Sequence, residues 1–285
     1  MASMRDIKRR RSSIQSTEQI TKAMKLVSTV KLQKSKAKAE STKPYFDIMY
    51  DTVTTMLARS GNIEHPFLKK GTSPKKAIVV ITSNRGLAGG YNNNLIKKVL
   101  TCGFDPKDVW IYAVGRKGRD ALARKGYEIR QDYSDVINEP LYKDASDIGI
   151  ELLDEFKNNR VGEIYLAYTS FKNTITHIPK LVKLLPLEFG DGELDSVDRI
   201  TPMNYEPAED EALNAVIPKY MCSLIYGGLL EAVASENGAR MTAMDSATNN
   251  AEEMIGKLSL QYNRARQGAI TQELTEIIAG ANAIS

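Results

Sequence analysis

The 285-residue sequence predicts an α/β protein: a long antiparallel coiled coil built from its N- and C-terminal helices, plus a doubly wound α/β domain between them. Three observations predict this. The first 43 residues contain no proline and no glycine, so nothing there breaks a helix. The last 67, Lys219–Ser285, contain no proline and repeat small and apolar residues in steps of three and four. The stretch between alternates short β-branched runs with helix-compatible ones. At 42 % hydrophobic, a chain of this length can bury a sizeable core.

The N-terminal helix is expected over residues 1–60. Its aliphatic stripe (Ile7, Ile14, Ile20, Met24, Val27 and Val30) is too narrow to seat a helix in a globular core, which implies a thin, mostly solvated element. Up to Pro44 it reaches roughly 60 Å at about 1.5 Å per residue. The C-terminal helix is expected over 219–285. Met241, Met244, Thr248, Ala251, Ile255, Leu258, Tyr262, Ala265 and Ala269 form its seam, and the alanines let a second helix approach closely. Wholly helical, this segment spans about 100 Å, so part of it either protrudes or belongs to the globular domain. The final QGAITQELTEIIAGANAIS favours protrusion. It carries no positive charge, and a lone helix would show Ile270, Leu274, Ile277 and Ile278 to water, which calls for a sheath supplied by another protein. The alternative is that it folds back on its own domain.

Residues 75–190 form the α/β domain. KKAIVVIT (75–82), DVWIYAVG (108–115) and EIYLAYT (163–169) read as strands, with further extended segments near 127–131 and 174–187, where prolines favour an edge. YNNNLIKKVL and DASDIGIELLDEF read as helices, and the alternation is Rossmann-like. Residues 191–218, with several acids and three prolines, read as the connector to the C-terminal helix.

Within this domain TSNRGLAGGYNNN (82–94) sits between a strand and a helix, where α/β proteins bind phosphate. Gly86, Gly89 and Gly90 make GxxGG, neither a dinucleotide nor a P-loop spacing. The better reading is a tight turn, with glycines for positive φ and one of Asn92 to Asn94 as helix cap. Other chemistry is thin. His65 and His177 lack partners at catalytic or metal-ligand spacing and read as surface or strand residues. Cys102 and Cys222 read as small buried hydrophobes of a reducing compartment. Glu209, Asp210 and Glu211 read as solvated. No run of 18 apolar residues spans a bilayer, and the N-terminus lacks the apolar stretch of a secretory signal, so a cytoplasmic protein is expected.

Charge is uneven. Residues 1–43 hold twelve Lys or Arg against three acids, a net of +9, which leaves −5 on the rest. A basic helix of this kind faces nucleic acid, a lipid surface or an acidic protein. The absence of aromatics before Tyr45 argues against nucleic acid.

RDIKRRRSSIQSTEQITKAMKLVSTVKLQKSK, SNRGLAGGYN and, above all, ASENGARMTAMDSATNNAEEMIGKLSLQYNRARQGAITQELTEIIAGANA resemble the gamma-subunit family of bacterial F-type ATP synthases. Gly268 and Arg11 depart slightly from the family pattern. The resemblance implies a central rotor shaft, one copy per complex, that couples proton-driven rotation of the c-ring to ATP synthesis or hydrolysis. It implies no active site, no metal and no cofactor on this chain, with ATP, ADP and Mg bound by partner subunits. The implied partners are the hexameric ring of alpha and beta subunits, the epsilon subunit and the c-ring, with no nucleic acid. Membrane contact would come only through the c-ring, at the cytoplasmic face of the plasma membrane. Residues implied as coupling or partner contacts are Met24, Arg240, Arg266, Gln267, Thr271, Glu273 and Glu276. The closely spaced cysteine pair of chloroplast members is missing, so no thiol regulation is expected.

Overall fold

The computed structural model describes residues 3–59, 65–187 and 208–284. Its elements are α1 (Met4–Arg59), β1 (Lys76–Ile81), α2 (Tyr91–Leu100), β2 (Val109–Val114), α3 (Arg116–Ala123), β3 (Glu128–Asp132), α4 (Tyr142–Lys157), β4 (Glu163–Phe171), β5 (His177–Leu185) and α5 (Glu209–Ile284). They divide into two compact units. The smaller joins residues 1–28 to 241–285, and the larger holds 29–240.

In the larger unit the sheet order is β3-β2-β1-β4-β5. β1 pairs in parallel with β2 and β4, β2 in parallel with β3, and β5 closes one edge antiparallel to β4. Pro179 therefore lies on an edge strand, where its missing N–H costs no ladder bond. In the central β1, Ala77 to Ile81 are all fully buried, because both faces of a doubly wound sheet are covered. Alternation divides them: Val79 and Ile81 face a core with Leu152 of α4 and Ile225 of α5, while Ile78 and Val80 face a core with Leu95 of α2 and Leu122 of α3. The charged RKGRDALA segment of α3 had no helical reading in sequence. Its one large buried side chain is Leu122, and the β2-to-β3 crossover puts it there.

α5 begins at Glu209 rather than at Lys219, and Pro218 sits inside it. Proline inside a helix costs about 3 kcal/mol. Leu213, Ile217 and Met221, all fully buried around it, contribute about 1.5–3 kcal/mol each and outweigh that cost. Of the acids expected to be solvated, Asp210 and Glu211 are exposed, and both lie in the first turn of this helix, where negative charge suits the helix dipole. Residues 191–207 of the expected connector lie outside the described residues. One window of α5 has a mean hydropathy of 1.2, but 67 % of it is buried inside the protein, as in the core helix of a soluble domain.

In the smaller unit α1 and α5 run antiparallel. Arg11 stacks over the Tyr262 ring at 5.5 Å, Thr248 Oγ1 donates to Thr21 Oγ1 at 2.8 Å, and Lys25 Nζ meets Asp245 Oδ1 at 2.6 Å, so one numbering rises as the other falls. On α5 the expected seam holds: Met241 to Ala269 at the heptad positions are buried or half-buried. On α1 it does not. Ile20, Leu26 and Val27 are more than half exposed, as is Val30 in the larger unit, while Ile7, Ile14, Thr21 and Ser28 face inward at seven-residue steps, with Arg11, Glu18 and Lys25 between them. Those steps match the pitch of the partner helix, so register overrides hydrophobicity. The inward hydroxyls are satisfied locally: Thr21 Oγ1 donates to the Glu18 carbonyl at 3.0 Å and Ser28 Oγ to that of Met24 at 2.8 Å.

Candidate functional site

The glycine loop leaves the end of β1 as a closed turn. Thr82 N donates to the Val114 carbonyl at 2.7 Å, and Thr82 Oγ1 donates to the Gly115 carbonyl at 3.1 Å while accepting from Gly118 N at 2.8 Å. Asn84 spans to the other side, its Nδ2 donating to the Ser134 carbonyl and its Oδ1 accepting from Arg116 N. The expected asparagine cap is not there. Gly90 occupies the cap position of α2, and Asn92 turns back instead, accepting from Ser83 N at 3.0 Å and donating to Ser83 Oγ at 2.7 Å. Positive φ falls on Leu87 (64°) and Gly89 (54°), so only one of the three glycines serves that purpose. Ser83 N and Tyr91 N, which could face an anion, are already bonded within the turn. The loop is built as a structural joint.

Against it lies one of the expected contact residues. Arg240 Nη2 is 2.7 Å from Glu236 Oε1 and 3.4 Å from the Gly86 carbonyl, and both side chains of the ion pair are only 12 % exposed. Burial raises the pKa of Glu236 even against the pull of Arg240, Lys31 and Arg85. Glu236 was not singled out from sequence. Its spacing of four from Arg240 on a helix is the signal that could have found it.

The other six expected contacts belong to the smaller unit. Met24 is half-buried near the Thr21–Thr248 level, whereas Arg266 lies some 18 residues beyond Thr248, roughly 27 Å along the helix. Arg266, Gln267, Thr271, Glu273 and Glu276 are all exposed on successive turns of α5. Their recorded bonds are local: Thr271 Oγ1 donates to the Gln267 carbonyl, and Gln272 donates to Glu276. These residues form a line of donors and acceptors along a helix, not a pocket. From Thr271 to Asn282 every residue is exposed, including Leu274 (54 %), Ile277 (66 %) and Ile278 (59 %).

Elsewhere the polar chemistry is structural. His65 is buried rather than on the surface; its Nδ1 accepts from Phe67 N at 3.2 Å, and burial lowers its pKa. His177 is in β5, and burial lowers it too. Glu163 is held by Lys70 at 3.3 Å, Lys183 at 3.4 Å and Lys76 at 3.8 Å. A cavity of about 190 Å³ beside Lys70 and Lys157 sits at the edge where β4 begins, opposite the edge at which α/β folds bind ligands. Cys222 is buried, which raises its thiol pKa, and Cys102 is half-buried. Among the described residues no group of three or more His, Cys, Asp or Glu could hold a metal.

Comparison with known proteins agrees with a stalk. The model of the ATP synthase family matches residues 3–284. The ATP synthase gamma chain of Lachnoclostridium phytofermentans is 67 % identical over 291 aligned positions that cover all of both chains. The gamma chain of Alkaliphilus metalliredigens is 45 % identical, covering 99 % of this chain and 98 % of its own. That of Acetobacterium woodii, named sodium ion specific, is 40 % identical, covering 99 % of each. Among solved structures, the central stalk and c-ring structure of Tetrahymena thermophila mitochondrial ATP synthase contains a chain with a TM-score of 0.59 at 25 % identity, covering 80 % of this chain and 99 % of that one. A chain of the Euglena gracilis mitochondrial ATP synthase shares the fold, with a TM-score of 0.69 at 19 % identity over 99 % of this chain and 94 % of its own. With its paired terminal helices and its α/β domain, this chain belongs to the family of ATP synthase gamma subunits, the central stalk of the rotary enzyme.

Proposed function

We propose that the chain is the turning shaft itself. It would couple proton-driven rotation of a c-ring to ATP synthesis or hydrolysis in a hexameric ring of alpha and beta subunits, with no active site of its own. The observation that carries this reading is the end of α5: a helix from Thr271 to Asn282 exposed all round, with Ile270, Leu274, Ile277 and Ile278 open to water. Such a surface calls for a partner that encloses it. The ring's apolar sleeve would do so, and one shaft would serve one ring.

Lower on the same helix Arg266 and Gln267 offer exposed donors suited to a carboxylate-bearing loop of a beta subunit, since the guanidinium fork binds carboxylates in two-point fashion. Thr271, Glu273, Glu276 and, on α1, Met24 would meet the ring at other levels. The basic face of α1 would pass acidic segments of beta subunits. ATP, ADP and Mg would be bound by the ring, and the α/β domain would meet the epsilon subunit and the c-ring at the cytoplasmic face of the plasma membrane. The A. woodii relative, named sodium ion specific, matches along almost its whole length. We therefore assign the choice of ion to the c-ring.

The test replaces Leu274, Ile277 and Ile278 by serine. Unfolding of the isolated chain should shift by less than about 0.5 kcal/mol, as for other exposed sites. Co-purification with the two larger nucleotide-binding subunits, and ATP-driven pumping by the assembled complex, should fall. Recovery of the wild-type chain from native cells only as a free monomer would overturn the proposal.

A further inference from the structure

α5 belongs to the larger unit up to Arg240, its last residue there. At that point one guanidinium nitrogen serves two acceptors: Nη2 lies 2.7 Å from Glu236 Oε1 and 3.4 Å from the Gly86 carbonyl. Each of its two hydrogens can serve one acceptor. The shorter contact sets the orientation, and the longer one depends on it. Gly86 is no loose end, because its loop is bonded to β2 and α3 through Thr82, to the segment after β3 through Asn84, and to α2 through the Ser83–Asn92 pair.

We infer that Glu236 is a positioning residue for rotary coupling: it holds the Arg240 guanidinium against the Gly86 carbonyl and so ties α5 to the glycine loop where the helix leaves the larger unit. The inference rests on the shaft reading above, in which torque passes along α5. Without the tie, that stretch of helix could twist against the sheet, and part of each rotational step would be lost as slack.

The surroundings of Glu236 fit a residue kept for position rather than for stability. Lys31 and Arg85 add positive charge at longer range. Tyr91, the first residue of α2, is buried with its hydroxyl unpartnered; burial, and then the charge of Glu236, push its pKa well up. Since burial raises the folded pKa of Glu236 above its unfolded value, the ionised side chain costs stability at neutral pH, and that cost disappears as pH falls below both values. Glutamine, similar in shape and uncharged, removes that cost but leaves the Arg240 guanidinium without its counter-ion, so assembly of the variant is read beside its coupling.

The experiment uses the assembled complex in sealed vesicles, with Glu236→Gln, Arg240→Gln and the double variant. Protons pumped per ATP hydrolysed should fall about threefold in Glu236→Gln while hydrolysis is retained, within the range of coupling changes that single residues cause. Arg240→Gln should fall similarly, and the double variant no further than Arg240→Gln, because both act through one contact. Glu236→Asp, which keeps the charge, should recover part of the loss. An unchanged pumping ratio in Glu236→Gln would overturn the inference, as would losses in the double variant that multiply. So would failure of Glu236→Gln to assemble, which would make the residue structural. If the wild-type chain joins no complex at all, it is the shaft reading that fails.

Discussion

In the larger unit β1 buries five consecutive residues completely, and α5 adds Leu213, Ile217, Met221, Ile225 and Leu229, each fully buried. In the smaller unit the inward side chains include Thr21, Ser28, Thr248 and Ala251, with Ile7, Met244 and Leu258 as the main buried aliphatics. At about 1.5–3 kcal/mol per large side chain, the first arrangement supplies its own stability. The second gains close approach and a fixed register from hydroxyls and alanines, but little free energy of transfer. The difference teaches that the helix pair keeps its register with little buried apolar surface, while the α/β unit carries a full core of its own.

The comparison breaks most readily at Gly115. Its φ is +115°, and an added Cβ would lie 2.1 Å from the Thr82 carbonyl oxygen. Gly115→Ala should cost about 3 kcal/mol or more in urea unfolding of the chain, with the loss confined to the larger unit's transition. A loss below about 1 kcal/mol would show that this joint yields easily.

Glu163→Gln should come next. Burial alone would raise the pKa of Glu163, but hydrogen bonds and charge from Lys70 and Lys183 more than offset it, so the carboxyl lies below its usual value. A depressed folded pKa contributes stability above the unfolded value near 4.5 and loses it as pH falls through the folded value. The variant should be about 1–2 kcal/mol less stable at pH 7, and the gap should close as pH drops below about 4.5. A gap that persists at low pH would mean that the lysines are not the cause.

Thr248→Val tests the smaller unit with the smallest effect. It removes the donor to Thr21 and should cost about 1 kcal/mol, read from helical circular dichroism on heating. Replacing Thr21 by valine as well should add little further, because the bond between the two side chains is already gone and the remaining bond of Thr21 is local to its own helix. If both variants cost as much as a core truncation, the seam is stiffer than its chemistry implies.

Much of this was legible in the amino-acid order. Proline and glycine placement marked the two long helices, β-branched runs marked three strands, and the heptad on α5 from Met241 to Ala269 survived unchanged. The inward face of α1 was misread because Ile20, Val27 and Val30 outrank Thr21 and Ser28 in hydrophobicity, yet partner register decides which side points in. The start of α5 was placed ten residues late because Pro218 reads as a stop, and only the core around Leu213 and Ile217 shows why it is not one. Of the contact residues, the exposed line from Arg266 to Glu276 follows from helical periodicity, and the Glu236–Arg240 pair has the local spacing of four, whereas the Arg240–Gly86 link joins positions some 150 residues apart and has no local signature.

Sequence alone determined the periodicities and the charge asymmetry: the two long terminal helices, the strands of the sheet, and which helix end carries no positive charge. These are local properties, set by backbone sterics and side-chain spacing within a few residues. Tertiary structure alone decided which face of α1 is covered, that the glycine loop is a joint tied to α3 and to the segment after β3, and that Arg240 reaches the Gly86 carbonyl. Each of those depends on what another part of the chain brings to within about 3 Å, where hydrogen bonds form, and one-dimensional order does not encode that distance.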